Sequence, residues 1–409
     1  MRRRFLAAAT AALGLGALLI APVASAASSP DSLRALAEQL GVKVGSAIDP
    51  ALLASNPEYA AIAAEQFSTL TAENAMKWDH MVPTRGVYDW SKADALVEFA
   101  EANGQEVRGH TLVWHYLPAW LTEAAPSMSA EEVRALLRQH ITDVVTRYKG
   151  RVWQWDVANE VFEEDGTLRD TIWLQKLGPG YIADAYRWAR EADPDALLFY
   201  NDYNIEFSGP KSQAVYDLMA QLTSEGVPID GVGFQAHLST QDAFPDLQAN
   251  MQRIADLGLK VAVTEVDIRG PLPVTAQTQA KQTEYYTKTL EACLAIESCI
   301  SYTTWGFTDA HSWVPSTIPG MGDATIYDDG LQPKPQYLAL QETLRAAVAA
   351  LPTPTPTPTV TPTPTVTPTP VPTETPAPRP ADRPTAPTAP SAPTAPVPAG
   401  GSGLPIVAG

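Results

Sequence analysis

The sequence predicts an α/β protein: a (β/α)8 TIM barrel followed by a disordered tail rich in proline and threonine. Short apolar runs alternate with longer segments of helical period between residues 31 and 350, a pattern typical of parallel βαβ units. Eight units in about 320 residues match the size of such a barrel. After residue 350 the chain alternates proline with threonine, alanine and valine, which is too little apolar mass for a core.

The N-terminus has the pattern of a secretory signal peptide over residues 1–26. Three arginines precede an apolar run over residues 5–20, and small residues before Ala26 suit cleavage after it. A transmembrane anchor is less favoured because the run is shorter than the roughly 20 residues needed to span a bilayer. The stretch from Arg2 to Leu6 loosely matches a twin-arginine signal, so the export route stays open.

The formal net charge is −18, and loss of the three leading arginines makes it more negative. Such a surface repels nucleic acid and anionic lipid and suits a neutral substrate. No later segment is apolar enough to cross a membrane. We therefore expect a secreted, extracellular monomer without nucleic-acid or membrane partners.

The only cysteines, Cys293 and Cys299, have five residues between them. In an oxidising compartment they predict one local disulfide that joins a helix end to the next strand. A metal site would need more ligands, and a catalytic thiol would need a paired histidine.

Eight strands are predicted, separated by helices. The clearest helix runs from Ser129, with Glu132 completing a capping box, to Gly150, where a left-handed stop is easy. The predicted strands span residues 42–48, 67–73, 107–114, 152–160, 196–202, 229–237, 260–267 and 300–307.

Polar or aromatic side chains stand at the carboxyl ends of most predicted strands, where a barrel carries its active site. They are Glu73, Trp114, Asn159, Glu160, Asp202, His237, Glu265, Asp267 and Trp305. Cleavage of a glycosidic bond needs one carboxyl that protonates the leaving oxygen and another that attacks or activates water. Glu160 and Glu265, at the ends of the fourth and seventh predicted strands, can supply this pair.

Residues two apart on a strand share a face, so Glu265 pairs with Asp267 and Gln235 with His237. We predict that His237 hydrogen-bonds Glu265 and is oriented by Asp267, which keeps Glu265 ionised. The odd offset between His110 and His115 predicts opposite faces of a strand, which argues against a metal pair. The mature chain has no glycine-rich phosphate loop, and we expect neither metal nor cofactor.

The chain resembles the family 10 glycoside hydrolases, chiefly endo-β-1,4-xylanases, over about residues 33–340. The motifs that carry the resemblance, in the family's order, are TAENAMKW at 71–78, GHTLVWH at 109–115, NE at 159–160, GFQAH at 233–237, TE at 264–265, WGFTD at 305–309 and SW at 312–313.

The resemblance implies a retaining endo-β-1,4-xylanase acting on xylan or xylo-oligosaccharides, with Glu160 as acid/base and Glu265 as nucleophile. It implies that Asn159 binds the sugar 2-hydroxyl and that Trp305 and Trp313 wall the cleavage subsite. The implied ligands of the glycone side are Glu73, Asn74, Lys77, His110 and Trp114. Tyr203 either reaches the cleft or serves packing, and Trp173 and Trp188 are assigned to the core.

One loop departs from the family, which usually has WHSQLPxW where this chain has WHYLPAW at 114–120. The loop is one residue shorter and lacks the glutamine. It borders the glycone side, so the shape of the subsites beyond the cleavage point is left open.

Residues 351–399 are predicted to be a polyproline II linker or tail, and residues 400–409 a short disordered end. The tail is a spacer, a relic, a truncated end or a means of cell-surface association. Two rival functions remain: a β-1,4-glucanase or cellobiohydrolase-like enzyme on the same scaffold, and a barrel lectin that binds sugar without cutting it.

Overall fold

Eight parallel strands close into a barrel in the computed structural model, which describes residues 29–352. The predicted signal peptide and all but the first two residues of the predicted tail lie outside that range. Strands β1 to β6 pair in chain order, β6 pairs with β8, β8 with β9, and β9 with β1. The predicted fold class is confirmed.

The strands are β1 Lys43–Ile48, β2 Thr69–Ala72, β3 Glu106–Val113, β4 Val152–Asn159, β5 Leu197–Asp202, β6 Gly231–Phe234, β7 His237–Ser239, β8 Lys260–Pro271, β9 Cys299–Thr304 and β10 Met321–Gly322. The α-helices are α1 Leu33–Gln39, α2 Pro50–Ser55, α3 Pro57–Gln66, α4 Trp78–Met81, α5 Ser91–Ala102, α6 Ala119–Ala124, α7 Ala130–Arg147, α8 Ile172–Leu177, α9 Tyr181–Ala192, α10 Pro210–Ser224, α11 Leu247–Ala255, α12 Ala276–Leu294, α13 Val314–Thr317 and α14 Pro335–Ala349. Short 3-10 helices span Ala125–Ser127 and Asp309–His311.

All eight predicted strands are present, but the sixth and seventh differ from prediction. The sixth breaks after Phe234, because Ala236 adopts a left-handed φ of 60°, and resumes as β7. The seventh, β8, continues to Pro271 because its outer half pairs with β7 and β10. Several predicted end residues, among them Glu73, Glu160 and Trp305, lie one residue beyond their strands.

Helix α7 forms where the capping box predicts it. Ser129 accepts a hydrogen bond from the Glu132 backbone, and the Glu132 side chain accepts one from the Ser129 backbone, so two otherwise unpaired N–H groups are satisfied. The helix ends at Arg147, and Gly150 takes the left-handed conformation that turns the chain into β4.

The predicted disulfide is also confirmed. It joins Cys293 in α12 to Cys299, the first residue of β9. Within residues 29–352 no helix is long and apolar enough to cross a membrane.

Candidate active site

A cleft of about 730 Å³ opens at the carboxyl end of the barrel strands, and most of the predicted site residues line it. Those residues are Glu73, Asn74, Lys77, His110, Trp114, Glu160, Tyr203, Gln235, His237, Glu265, Trp305 and Trp313. Asn159 and Asp267 do not line the cleft, because both are buried behind it.

Glu160 follows β4 with a φ of 55°, a left-handed conformation uncommon for a residue other than glycine. Two hydrogen bonds hold this turn. The Glu160 N–H donates to the Asn201 carbonyl at 2.9 Å, and Arg169 Nε donates to the Glu160 carbonyl at 3.0 Å. The backbone that aims the carboxyl is therefore fixed on both sides.

The Glu160 carboxyl accepts three hydrogen bonds. Trp114 Nε1 lies 2.8 Å from Oε2, while Gln235 Nε2 and Asn159 Nδ2 lie 3.0 and 3.2 Å from Oε1. These donors fix the orientation of the carboxyl group at the cleft wall.

Glu265 lies within β8 and is buried. Asn201 Nδ2 donates to its Oε1 at 2.8 Å, and His237 Nε2 lies 3.1 Å from its Oε2. Asn201 Nδ2 also donates to Asn159 Oδ1 at 2.8 Å. A chain of amides thus connects the two carboxyl groups.

The hydrogen bonds predicted around His237 are present: its Nδ1 lies 2.9 Å from Asp267 Oδ2 and its Nε2 faces Glu265. Burial alone would lower the pKa of His237, but the charge and hydrogen bond of Asp267, with those of Glu265, raise it to about 10. The ring is therefore an imidazolium at neutral pH and donates from both nitrogens.

Burial alone would likewise raise the pKa of Glu265. The hydrogen bond from His237 and the positive charges of His110, His237 and Arg108 outweigh burial and lower that pKa to about 2. Glu265 is consequently a carboxylate over the whole neutral and mildly acidic range.

The wall beside Glu160 combines two half-buried charged side chains, Glu73 and Lys77, with indole faces. Burial lowers the pKa of Lys77, although the charges of Glu265 and Glu73 oppose this. Burial also raises the pKa of Glu73, partly offset by Lys77. The Lys77 ammonium donates to Asn74 Oδ1 at 2.8 Å and lies 5.1 Å from the centre of the Trp114 ring. Polar donors and a flat apolar surface thus stand side by side.

Trp305 and Trp313 form the wall around His237. Their rings meet the His237 ring edge-on, and Trp313 Nε1 donates to Asp267 Oδ2 at 2.7 Å. An indole face suits the C–H side of a pyranose while nearby polar groups take its hydroxyls.

Tyr203 both reaches the cleft and serves packing, the two alternatives that the sequence left open. Its side chain lines the cleft, its hydroxyl accepts a hydrogen bond from Arg169 at 3.1 Å, and the Lys211 ammonium packs 3.4 Å from its ring centre.

Sequence reasoning missed the charged pair under Glu265. Arg108 in β3 forms an ion pair with Asp156 in β4, and its guanidinium lies 3.6 Å from Glu265 Oε1. Both side chains are fully buried. The sequence did contain a signal for this pair. Each of the two strands has a charged residue in the middle of an apolar run, and a buried charge requires a partner. Asn201 and Arg169 were missed as well, because asparagine and arginine are common in loops and at strand ends and their residue types alone indicate no role in a site.

The predicted separation of His110 and His115 onto opposite faces is wrong. Both line the cleft, because β3 ends at Val113 and its pairing with β4 shifts between His110 and Val113. The strand alternation therefore does not extend to His115.

The groups best placed to hold a metal among residues 29–352 are His110, Asp156 and Glu265, whose ligand atoms lie within 4.8 Å of one another. Arg108 contacts both carboxylates. A cation there would meet a guanidinium that already neutralises its ligands, so these residues do not fit a metal.

Two carboxyl groups with distinct environments, set between indole walls at the mouth of a (β/α)8 barrel, define a glycoside hydrolase. The model of glycosyl hydrolase family 10 matches residues 32–343. The chain belongs to that family, and the resemblance seen in its motifs is confirmed.

Similar proteins and solved structures agree with this family assignment. Endo-1,4-beta-xylanase B of Thermotoga neapolitana is 42% identical over 332 residues, which cover 80% of this chain and 95% of that protein. Endo-1,4-beta-xylanase of Agaricus bisporus is 41% identical over 75% of this chain and 92% of its own. The crystal structure of xylanase 10B from Thermotoga petrophila in complex with xylobiose superimposes with a TM-score of 0.75 at 42% identity, covering 78% of this chain and 98% of that one.

Proposed function

We propose that the protein is a secreted endo-β-1,4-xylanase that hydrolyses internal bonds of xylan by double displacement with retention of configuration. The observation that carries the proposal is the unequal setting of the two carboxyl groups. Glu265 is held ionised by His237, while Glu160 is fixed by neutral donors at the cleft wall. The names of the relatives support the choice of xylan.

In the first step Glu265 attacks the anomeric carbon and Glu160 gives its proton to the leaving oxygen, so that the glycosidic bond breaks and a glycosyl ester forms. After this step Glu160 has given up its proton and can accept another. In the second step Glu160 takes a proton from water, the oxygen attacks the anomeric carbon, and the ester bond breaks.

Secretion is part of the proposal. The N-terminal pattern of arginines, an apolar run and small residues supports it, and so does a disulfide, which persists in an oxidising compartment.

Replacement of the nucleophile tests the assignment most directly. We expect Glu265→Ala to lower kcat on xylan by at least about 10⁴-fold, because no other carboxylate can form the ester. Initial rates on xylan and carboxymethylcellulose, with proton NMR of the first-formed anomer, measure activity, substrate and stereochemistry together. A variant as active as the parent, or a first product of inverted configuration, would refute the mechanism, and faster cleavage of carboxymethylcellulose would refute the substrate.

Glu160→Ala separates the acid role from the base role. An aryl xyloside with a good leaving group needs no protonation, so its glycosylation rate should be largely retained while activity on xylan collapses. Azide should restore turnover by attacking the glycosyl ester in place of activated water. Equal losses of the pre-steady-state burst on the aryl xyloside and of the rate on xylan would contradict the acid role.

A further inference from the structure

The shortened loop after His115 carries an aromatic side chain, Tyr116, that has no part in the proposed catalytic steps. Tyr116 is 57% exposed although it is large and partly apolar, and it lines the same cleft as Glu160. Its hydroxyl makes no hydrogen bond to any group in residues 29–352. Among the described residues it is the most exposed aromatic ring.

Tyr116 continues the wall that Trp114 begins. The two ring centres lie 4.5 Å apart with the planes inclined by 50°, and the His115 ring centre lies 4.5 Å from Tyr116 and 5.1 Å from Trp114. Trp114 itself donates to the Glu160 carboxyl. Tyr116 therefore extends an aromatic surface outward from the acid/base rather than standing apart from it.

The loop backbone is fixed on both sides of Tyr116. Trp173 Nε1 donates to the Trp114 carbonyl at 2.9 Å, Leu117 packs against the core, and Pro118 caps α6 in an extended conformation. The tyrosine is thus held in place before a ligand arrives, which reduces the ordering cost of a contact.

We propose that Tyr116 is a specificity residue of the glycone side, forming with Trp114 an added aromatic platform for a second pyranose unit of the polysaccharide. The inference rests on the proposed function and deepens it. At this point the family usually has serine and glutamine, whose side chains form hydrogen bonds. Tyr116 offers a ring for stacking in their place. The apolar C–H face of a xylose, which lacks a hydroxymethyl group, suits such a surface.

The experiment compares Tyr116→Ala and Tyr116→Phe on two substrates. Xylopentaose is long enough to reach the platform, whereas 2,4-dinitrophenyl β-xyloside has one sugar unit and is not. We expect Tyr116→Ala to lower kcat/KM on xylopentaose about 3- to 10-fold through KM, as loss of one aromatic contact implies. The aryl xyloside should be hydrolysed at the parental rate, and Tyr116→Phe should resemble the parent on both. Leu338→Ala, an equally exposed side chain on α14, is the matched control and should change neither rate.

Two results would overturn the inference. If Tyr116→Ala leaves xylopentaose kinetics unchanged, the ring contacts no sugar. If it lowers kcat on both substrates equally, Tyr116 only supports Trp114 and Glu160. Failure of the proposed function is distinguishable, because the parent would then cleave neither xylan nor xylopentaose.

Discussion

The ionisation of Glu265 depends on one neighbouring ring. His237 donates to the carboxylate and carries a positive charge, because Asp267 raises its pKa. Without that ring, the pKa of the carboxyl group would be higher, because burial opposes the charged form and only the His110 and Arg108 charges would remain against it. The proposed nucleophile is therefore kept ionised by a side chain from the neighbouring strand.

We predict that His237→Asn moves the acid limb of the pH profile of kcat/KM upward by about one pH unit or more. Activity requires ionised Glu265 and is lost as pH falls through the pKa of that group. In the parent that pKa is about 2, and in the variant it is higher. Initial rates between pH 3 and pH 8 provide the measurement. The control is His311→Asn, because the His311 ring is exposed and lies outside the cleft; this variant should leave the pH profile unchanged. If the acid limb of His237→Asn coincides with that of the parent, this account is wrong.

The sequence could predict the His237, Asp267 and Glu265 contacts because strand alternation places residues two apart on one face. It could not predict that Asn159 turns its amide away from the cleft surface, where it is 2% exposed. That orientation depends on Asn201 in β5 and on Gln235 in the segment between β6 and β7, which both donate to Asn159 Oδ1. Contacts set by three segments that are distant in sequence have no local signature.

At the scale of elements, β3 and β4 fit together through one glycine. Gly109 lies opposite Trp155 in the parallel pairing, and a Cβ at Gly109 would stand 2.2 Å from the Trp155 ring. Trp155 is fully buried and cannot move aside. The glycine therefore permits a large indole between two strands that also carry Arg108 and Asp156.

We expect Gly109→Ala to lower the free energy of unfolding by about 1 to 3 kcal/mol through overpacking and to reduce kcat by shifting Arg108 and His110. Urea denaturation and initial rates on xylan measure the two effects. Gly180→Ala is the matched control, because its φ is −61° and a Cβ there meets nothing within 4 Å. Equal stability of the two variants would show that the strands adjust freely.

The elements themselves were largely predictable. Helix α7 follows from its capping box and its apolar spacing, and the strands follow from short apolar runs. The break between β6 and β7 was not predictable, since it rests on a left-handed alanine, for which the residue type gives no indication. The added length of β8 was missed because its partners, β7 and β10, are two short strands distant in sequence.

At the scale of the whole molecule, the sequence has a formal net charge of −18, and the proposed substrate is a polymer. Xylans that carry uronic acids are themselves anionic, so the protein's field opposes their approach. Neutral arabinoxylan experiences no such repulsion.

The expected result is that KM on glucuronoxylan falls as NaCl rises from about 10 to 150 mM, because the Debye length shortens from about 30 to 8 Å. KM on neutral arabinoxylan should stay constant over the same range, which controls for general effects of salt. Parallel behaviour of the two substrates would mean that the surface charge plays no part in substrate capture.

Asp267 gives the molecule a form of thermodynamic linkage. A single oxygen, Oδ2, accepts hydrogen bonds from both the Trp313 indole and the His237 ring. A sugar packed on Trp313 would change how strongly that oxygen holds His237, whose hydrogen bond and charge lower the pKa of Glu265. Under the proposed function, occupancy of the wall formed by Trp305 and Trp313 would be coupled to ionisation of Glu265, and the coupling would be reciprocal. Substrate affinity and the acidity of Glu265 would then both depend on this one carboxylate, so that a change at Asp267 would alter the two together.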